Sequence, residues 1–264
     1  MMFVMFAAFG TFFCLAERLF AVRRQAVLRR EFFTDLCYIP IQYFMRTMVN
    51  GTVAIGLSEL GHRLLPAYSV NLLKGRPVWV QAAAVIFIID FIFYIMHRLK
   101  HQWQWWWRLH QTHHSSKDLD FLSAVRFHPL EKLLDRIVYL FPLLVLGVSN
   151  EALFIWAAVD SFMGMFSHSN LKWRIGPLKY VFVGPEMHHW HHTRDPEMRE
   201  CNYGNHLSIF DWIFGTAYIS KKEPTEFGVD DPEYPERSVV KQFFHAFRVG
   251  LSKQPLQPVE AKRF

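Results

Sequence analysis

The sequence predicts an all-α fold, a polytopic membrane helical bundle with a cytoplasmic-side helical cap that carries a histidine-rich dimetal site. Three observations predict it. Hydrophobic residues make up 52% and aromatic residues 17% of the 264, a high share for a soluble chain. The apolar residues are gathered into runs of helical length. Nine of the fourteen histidines fall in three clusters beside those runs, HRLKH at 97–101, HQTHH at 110–114 and HHWHH at 188–192.

Taken in order, Met1 to Phe20 is apolar but lacks the basic n-region and small-residue cleavage site of a signal peptide, so it is expected to be a retained membrane helix. Leu36 to Leu60 is a weaker candidate. It carries Arg46, Asn50 and Glu59, which need the bundle interior or the interface. Pro77 to Met96 has Asp90 as its only charge, and as a helix it would span about 30 Å of hydrocarbon. Leu133 to Val148 and Ala152 to Phe166 are joined by Ser149-Asn150-Glu151, a turn with helix-starting character, and predict a helical hairpin. Crossing or dipping into the bilayer, the hairpin returns the chain to the side it left. From Lys221 onward a polar tail ends in the amphipathic pattern Val240, Phe243, Phe244, Phe247 and Leu251, an expected interfacial helix. The expectation is one integral-membrane domain over 1–264, with membrane helices in 1–80, a histidine-bearing core in 81–219 and a tail in 220–264.

Charge gives an orientation. Arg18, Arg23, Arg24, Arg29 and Arg30 follow the first segment, and Arg98, Lys100, Arg108 and Lys117 follow the segment from Pro77; the loop from Gly61 to Arg76 has only Arg63, Lys74 and Arg76. Positive-inside bias then puts all three clusters on the cytoplasmic side, at a bacterial inner membrane or the endoplasmic reticulum. The net charge of +6 suits an anionic membrane surface. Because the basic residues flank membrane segments and form no stripe with stacking aromatics, no nucleic acid is expected as partner. Cys14, Cys37 and Cys201 are isolated and supply neither a disulfide framework nor a thiolate site. No P-loop or G-x-G-x-x-G is present, so reducing power is expected from a separate protein.

Residues three and four apart share a helix face, so His97 with His101, His110 with His113 and His114, and His188 with His191 and His192 each project together. Eight convergent imidazoles exceed the four ligands of a closed zinc site, and two metals are the economical reading, with iron, zinc, copper and nickel all open. His189 lies about 100° around the helix from His188 and is left out. His62 and His245 stand alone and read as ordinary polar residues. His168 ends the second hairpin helix, where the chain returns to the cluster face. Asp90, two turns before His97, and Asp160, eight residues before His168, either orient ligating imidazoles or make helix–helix contacts. Trp103, Trp105, Trp106 and Trp107 read as an interfacial belt before a substrate box.

The stretch from Asp90 to Tyr218 resembles the fatty acid hydroxylase and sterol desaturase superfamily of membrane di-iron oxygenases. The resemblance rests on Asp90 ahead of HRLKH, on HQTHHSS, on Arg126-Phe127-His128-Pro129-Leu130-Glu131 and on His168-Ser169-Asn170. It continues with Pro185-Glu186 before HHWHH, Asn202-Tyr203-Gly204, and Asp211-Trp212-Ile213-Phe214-Gly215-Thr216. It implies metal ligation by His97, His101, His110, His113, His114, His188, His191 and His192, with His168 completing the site and no catalytic residue beyond the ligands. It further implies two iron ions (zinc as isolated being an alternative), O2 as co-substrate, and electrons from an external cytochrome b5, ferredoxin or reductase. The implied reaction is hydroxylation or desaturation of an unactivated C–H bond in a membrane lipid such as a sterol or fatty acyl chain. His128 is open between ligand, orienting group and phospholipid contact, and His206 reads as orienting or structural. His189, and Glu200-Cys201 where a lysine is common, depart from the family pattern without replacing a ligand. A membrane zinc hydrolase needs about three histidines and leaves most of the clusters unexplained. A metal transporter would carry its ligands along the membrane interior.

Overall fold

A computed structural model describes residues 2–64, 71–195 and 198–248. Leu251 lies outside the described residues, as do the side chains of Asn50, Glu59 and His62. Among the described residues all regular structure is helical, with three isolated bridges and no strand. The helices are α1 (Met2–Phe20), α2 (Phe32–Leu64), α3 (Val78–Gln102), α4 (Gln104–His114), α5 (Pro129–Leu146), α6 (Asn150–His168), α7 (Pro185–His191), α8 (Ile209–Phe214) and α9 (Val239–His245).

Helix α3 continues past the apolar run, so His97 and His101 stand on the same rod as Asp90. It stops where Trp103 turns extended (φ −102°, ψ 117°), and α4 restarts one residue later. That single-residue corner folds the second histidine cluster back against the first. The link between α5 and α6 acts as its residues suggest, the Ser149 hydroxyl accepting from the Ala152 amide at 3.3 Å to cap α6.

The core holding these rods in register is apolar. Val85 and Ile89 of α3 meet Tyr139 and Leu143 of α5 and Trp156 of α6, while Phe13 and Ala16 of α1 pack on Met165 of α6 and on Leu171. Burying a large apolar side chain contributes roughly 1.5–3 kcal/mol, so these clusters fix α1, α3, α5 and α6 together. The opposite faces are apolar too, but uncovered. Leu15, Leu19, Trp79 and Phe87 are all more than half exposed. Among the described residues α3 is the one helix long and apolar enough to cross a membrane, by length and composition, its most apolar window reaching a mean hydropathy of 2.2.

A buried ionic layer joins the start of α2 to the loop after α4. Arg29 donates to Asp120 at 2.6 Å and to Asp35 at 2.5 Å, and Arg126 donates to Asp35 from the other side at 2.5 Å. The tail is tied down by Tyr38 to Gln242 at 2.8 Å, by His245 to Asp231 at 2.9 Å and by the Lys117–Glu236 ion pair. Helix α9 keeps the amphipathic character expected of it, with Gln242 buried and Val240 and Phe244 exposed. The tryptophan run divides. Trp103 and Trp105 are half exposed, whereas Trp106 and Trp107 are buried, because a helix turns successive residues to different faces.

Candidate metal centre

Nine imidazoles converge on one buried region, and they sort into two groups. His97, His101, His110, His114 and His191 form one, and His113, His168, His188 and His192 the other, the ligand atoms of each lying within 4.8 Å of one another. The expectation that each H-x2-HH triplet aims its three rings one way is refined by this. At 100° per residue, positions i and i+4 differ by about 40°, but i+3 and i+4 differ by about 100°. His110 and His114 therefore share a group and His113 points to the other; in the third cluster His188 and His192 pair, and His191 crosses over. The two triplets are thus used in opposite senses. His192 completes its pair from the C-cap of α7 (φ −87°, ψ 0°), just beyond the last helical residue.

Six of the nine rings are aimed from behind. The Nδ1–H groups of His97, His191, His113 and His168 donate to the carbonyls of Tyr203 (2.8 Å), Cys201 (2.8 Å), Arg126 (3.2 Å) and Gly164 (2.7 Å). Those of His110 and His101 donate to the carboxylates of Glu131 (2.8 Å) and Glu200 (3.2 Å). Carbonyls and carboxylates only accept, so each of these six rings carries its proton on Nδ1 and presents a bare lone pair at Nε2. The Nε2 atoms then crowd together. His97 lies 3.0 Å from His110 and 2.9 Å from His191, and His168 lies 3.2 Å from both His113 and His188. Lone pairs facing one another at such distances repel unless a cation lies among them, and that is the fit a metal requires. The Nε2 of His101 is buried with no hydrogen-bond partner, an orphaned lone pair that a metal ion would satisfy.

Electrostatics agree. Burial, reinforced by neighbouring imidazoles, pushes His113, His114, His188, His191 and His192 well below 6.5. Burial takes His110 down to about 4 even though Glu131 opposes it. All stay neutral at physiological pH, the state that binds metal.

The loop from Cys201 to Leu207 supplies two of the carbonyls and is held accordingly. Asn202 takes a positive φ of 53°, which asparagine tolerates, and its side-chain amide donates to the Met187 and Tyr218 carbonyls at 2.8 Å. Asp211 accepts from the Tyr203 and Gly204 amides at 2.7 and 2.9 Å. The Tyr203 hydroxyl donates to Glu200, the acceptor of His101.

Asp90 and Asp160 touch no clustered imidazole. Both hold His206: Asp90 lies 2.7 Å from its Nδ1 and accepts from the His206 and Leu207 amides at 3.0 and 2.6 Å, and Asp160 lies 3.2 Å from its Nε2. Against burial, which lowers it, Asp90 raises His206 to about 10, so the ring is an imidazolium clamped between two carboxylates. Asp90 thus acts on His97 through the loop whose Tyr203 carbonyl receives the ring. His128 stands apart. Its Nδ1 accepts from the Leu130 amide and its Nε2–H donates to Phe243 O at 3.1 Å, fastening α9. His189 turns away to the Ser169 carbonyl at 3.0 Å. Glu131, Glu200 and the accepting carbonyls carry no sequence signal of their own; Glu131 is visible only as part of a motif.

A cavity of about 220 Å³ reaches the centre, lined by Phe6, Ile39, Ile89, Phe93, Tyr139 and Trp156 from five helices. His97, His113, His168 and His188 form part of its wall. Arg46 lines it too, which answers how a cation is tolerated in the apolar α2: it faces the interior.

The fatty acid hydroxylase family model matches residues 82–216. The chain is 36% identical over 143 residues to an ornithine lipid hydroxylase of Rhizobium tropici, 54% of this chain and 43% of that protein. It is 31% identical over 168 residues to the human alkylglycerol monooxygenase, 61% of this chain and 36% of that protein. It is 28% identical over 202 residues to a putative methylsterol monooxygenase of Dictyostelium discoideum, 75% of this chain and 67% of that protein. The matched region spans less than half the length of the first two relatives. No solved structure matches.

Proposed function

The chain belongs to the fatty acid hydroxylase family, and from that membership we propose that it is an O2-dependent di-iron oxidoreductase that hydroxylates or desaturates an unactivated C–H bond of a membrane lipid. The observation that carries this reading is the pair of imidazole groups, five and four, set into the wall of an otherwise largely apolar cavity.

Metal chemistry is needed because no amino-acid acid or base removes hydrogen from an alkyl carbon; two irons supply that oxidising power, with O2 as co-substrate and electrons from a separate redox protein. In this reading His97, His101, His110, His114 and His191 hold one ion and His113, His168, His188 and His192 the other. The chain's own contribution is orientation. Six Nδ1–H donors fix their rings, and such supports ordinarily contribute 10–100-fold in metal affinity. Phe93, Ile89 and Trp156 make the approach to the centre apolar and keep bulk water from it.

The relatives named for an ornithine lipid, an alkylglycerol and a methylsterol share a long hydrocarbon with a polar end, which is the class of substrate expected to enter from the bilayer. The uncovered apolar faces of α1 and α3 support a multi-pass protein forming one domain over 1–264. The arginines after α1 and the cations at the end of α3 support a cytoplasmic-facing centre.

The test is anaerobic purification followed by metal analysis and O2 uptake on lipid addition. Two irons per chain with lipid-dependent O2 consumption are expected. Zinc with O2-independent lipid cleavage would overturn the reading.

A further inference from the structure

Three cations stand in the cavity wall without a close ion pair among the described residues. Arg46 on α2 and Lys132 and Arg136 on α5 all line the cavity; Asp160 lies within electrostatic range of all three and Asp135 and Glu131 of Lys132, but among the described residues none of the three cations is in ion-pair contact with a carboxylate. The two carboxylates of the same wall are already engaged, Asp135 with Lys100 at 2.7 Å and Asp160 with His206 at 3.2 Å. Lys100 is shared with Glu131 and His206 with Asp90, yet three further cations still outnumber the two carboxylates those pairings leave over.

The three form one cluster. Lys132 and Arg136 are four residues apart on α5 and share a face. Arg46 comes from α2, which packs along α5, and lies within electrostatic range of Arg136. Aromatic rings floor the cluster: the Lys132 ammonium sits 3.4 Å from the Phe127 centroid and the Arg136 guanidinium 5.9 Å from that of Trp156. The Phe127 ring in turn stacks on His113 at 4.1 Å and 9°. One aromatic ring therefore separates the Lys132 ammonium from the histidine centre. Cations drawn into an apolar cavity are costly unless an anion joins them, and two guanidinium groups with an ammonium suit the oxygens of phosphate or carboxylate.

We propose that Arg46, Lys132 and Arg136 seat the anionic head group, phosphate or carboxylate, of the lipid substrate beside the histidine centre. The assignment rests on the reading that a lipid enters this cavity.

The experiment uses the full chain, metal-loaded, in nanodiscs of a neutral lipid, with equilibrium binding of an alkyl phosphate, the fatty acid and the alcohol of equal chain length. Both anions are expected to bind about tenfold or more tighter than the alcohol. Arg46→Gln, Lys132→Gln and Arg136→Gln should each remove most of that preference while leaving alcohol binding and bound metal in place. Arg136→Lys and Arg46→Lys, which keep the charge, should retain it and so separate loss of charge from loss of fold. Inorganic phosphate alone should fail to displace the alkyl phosphate. An alcohol binding as well as the anions, a preference that survives the glutamine variants, or inorganic phosphate competing as an equal would each overturn the proposal. A protein that prefers anions but consumes no O2 with any lipid would leave this seat standing and remove the oxygenase reading instead.

Discussion

The Nε2 atoms of His97 and His191 face one another at 2.9 Å across 94 residues of sequence. Neither can donate, because the Nδ1–H of His97 is given to Tyr203 O and that of His191 to Cys201 O. Two lone pairs held together by two separate backbone anchors need a cation to be stable. His191→Ala is therefore expected to lower bound metal from two ions to one or fewer per chain and to abolish lipid oxidation, and His188→Ala to do the same from the four-histidine group. Metal analysis of the purified variants checks both, and full occupancy in either contradicts the ligand assignment.

How much of this was legible beforehand divides along physical lines. The clusters could be read because helical spacing is a property of the sequence: His97 and His101, or His110 and His114, share a face wherever the helix lies. Which group each ring joins was not readable, since it depends on how α4 and α7 are turned about one another by the corner at Trp103 and by packing on α6. The supports were less visible still. Four of the six Nδ1 acceptors are backbone carbonyls, which every residue has, and Glu131 reaches His110 only after α5 has packed beside α4. Asp90 stood out as a charge in an apolar helix, but its partner His206 lies 116 residues away and nothing local connects them.

Asp90→Asn tests that link. Removing the carboxylate charge leaves the buried His206 imidazolium with Asp160 alone and loosens the Tyr203–Leu207 loop, so metal affinity is expected to fall about 10–100-fold with full stoichiometry recovered at excess metal. His128→Ala, which frees α9 and touches no clustered imidazole, should leave saturating metal content unchanged. Competition with a chelator measures both, and an unaltered affinity in Asp90→Asn would remove the loop from the account.

Acid should release the metals. The pKa values of His110 and its neighbours lie below 6.5 in the folded chain, so between those values and 6.5 the unfolded chain binds more protons and stability rises with pH. The contribution is present above pH 6.5 and is lost as pH falls, toward about 4 for His110; His113, His114, His188, His191 and His192 are likewise held well below 6.5. Each group contributes about 1.4 kcal/mol per pH unit over its window. Metal retained after gel filtration should decline steeply between pH 6.5 and 4.5, with more than one proton taken up per ion released; flat retention over that range would count against the histidine set.

Lys100 makes a different kind of demand. Its ammonium lies 2.9 Å from Glu131 and 2.8 Å from Asp135, all three buried. Lys100→Met leaves both carboxylates without their cation and is expected to cost about 3–5 kcal/mol, read as a lower unfolding midpoint in detergent. Adding Asp135→Asn should recover part of it, because one of the stranded charges is then gone, whereas equal losses in the single and double variants would show that packing alone is responsible.

Gly204 carries the sharpest backbone prediction. A Cβ placed there would lie 2.6 Å from the Leu207 carbonyl oxygen and 2.8 Å from the Asp211 carboxylate, distances that real side chains do not adopt. Neither neighbour can give way freely: the Leu207 amide is fixed to Asp90 and the Asp211 carboxylate to the Tyr203 and Gly204 amides. The strain must therefore move the chain at Tyr203, whose carbonyl aims His97. Gly204→Ala is expected to weaken metal binding at the five-histidine group more than at the four-histidine group, since Arg126 and Gly164, which aim His113 and His168, lie on other segments. Stepwise metal titration distinguishes the two groups, and equal weakening of both steps would mean that the loop supports the fold in general and has no particular hold on His97.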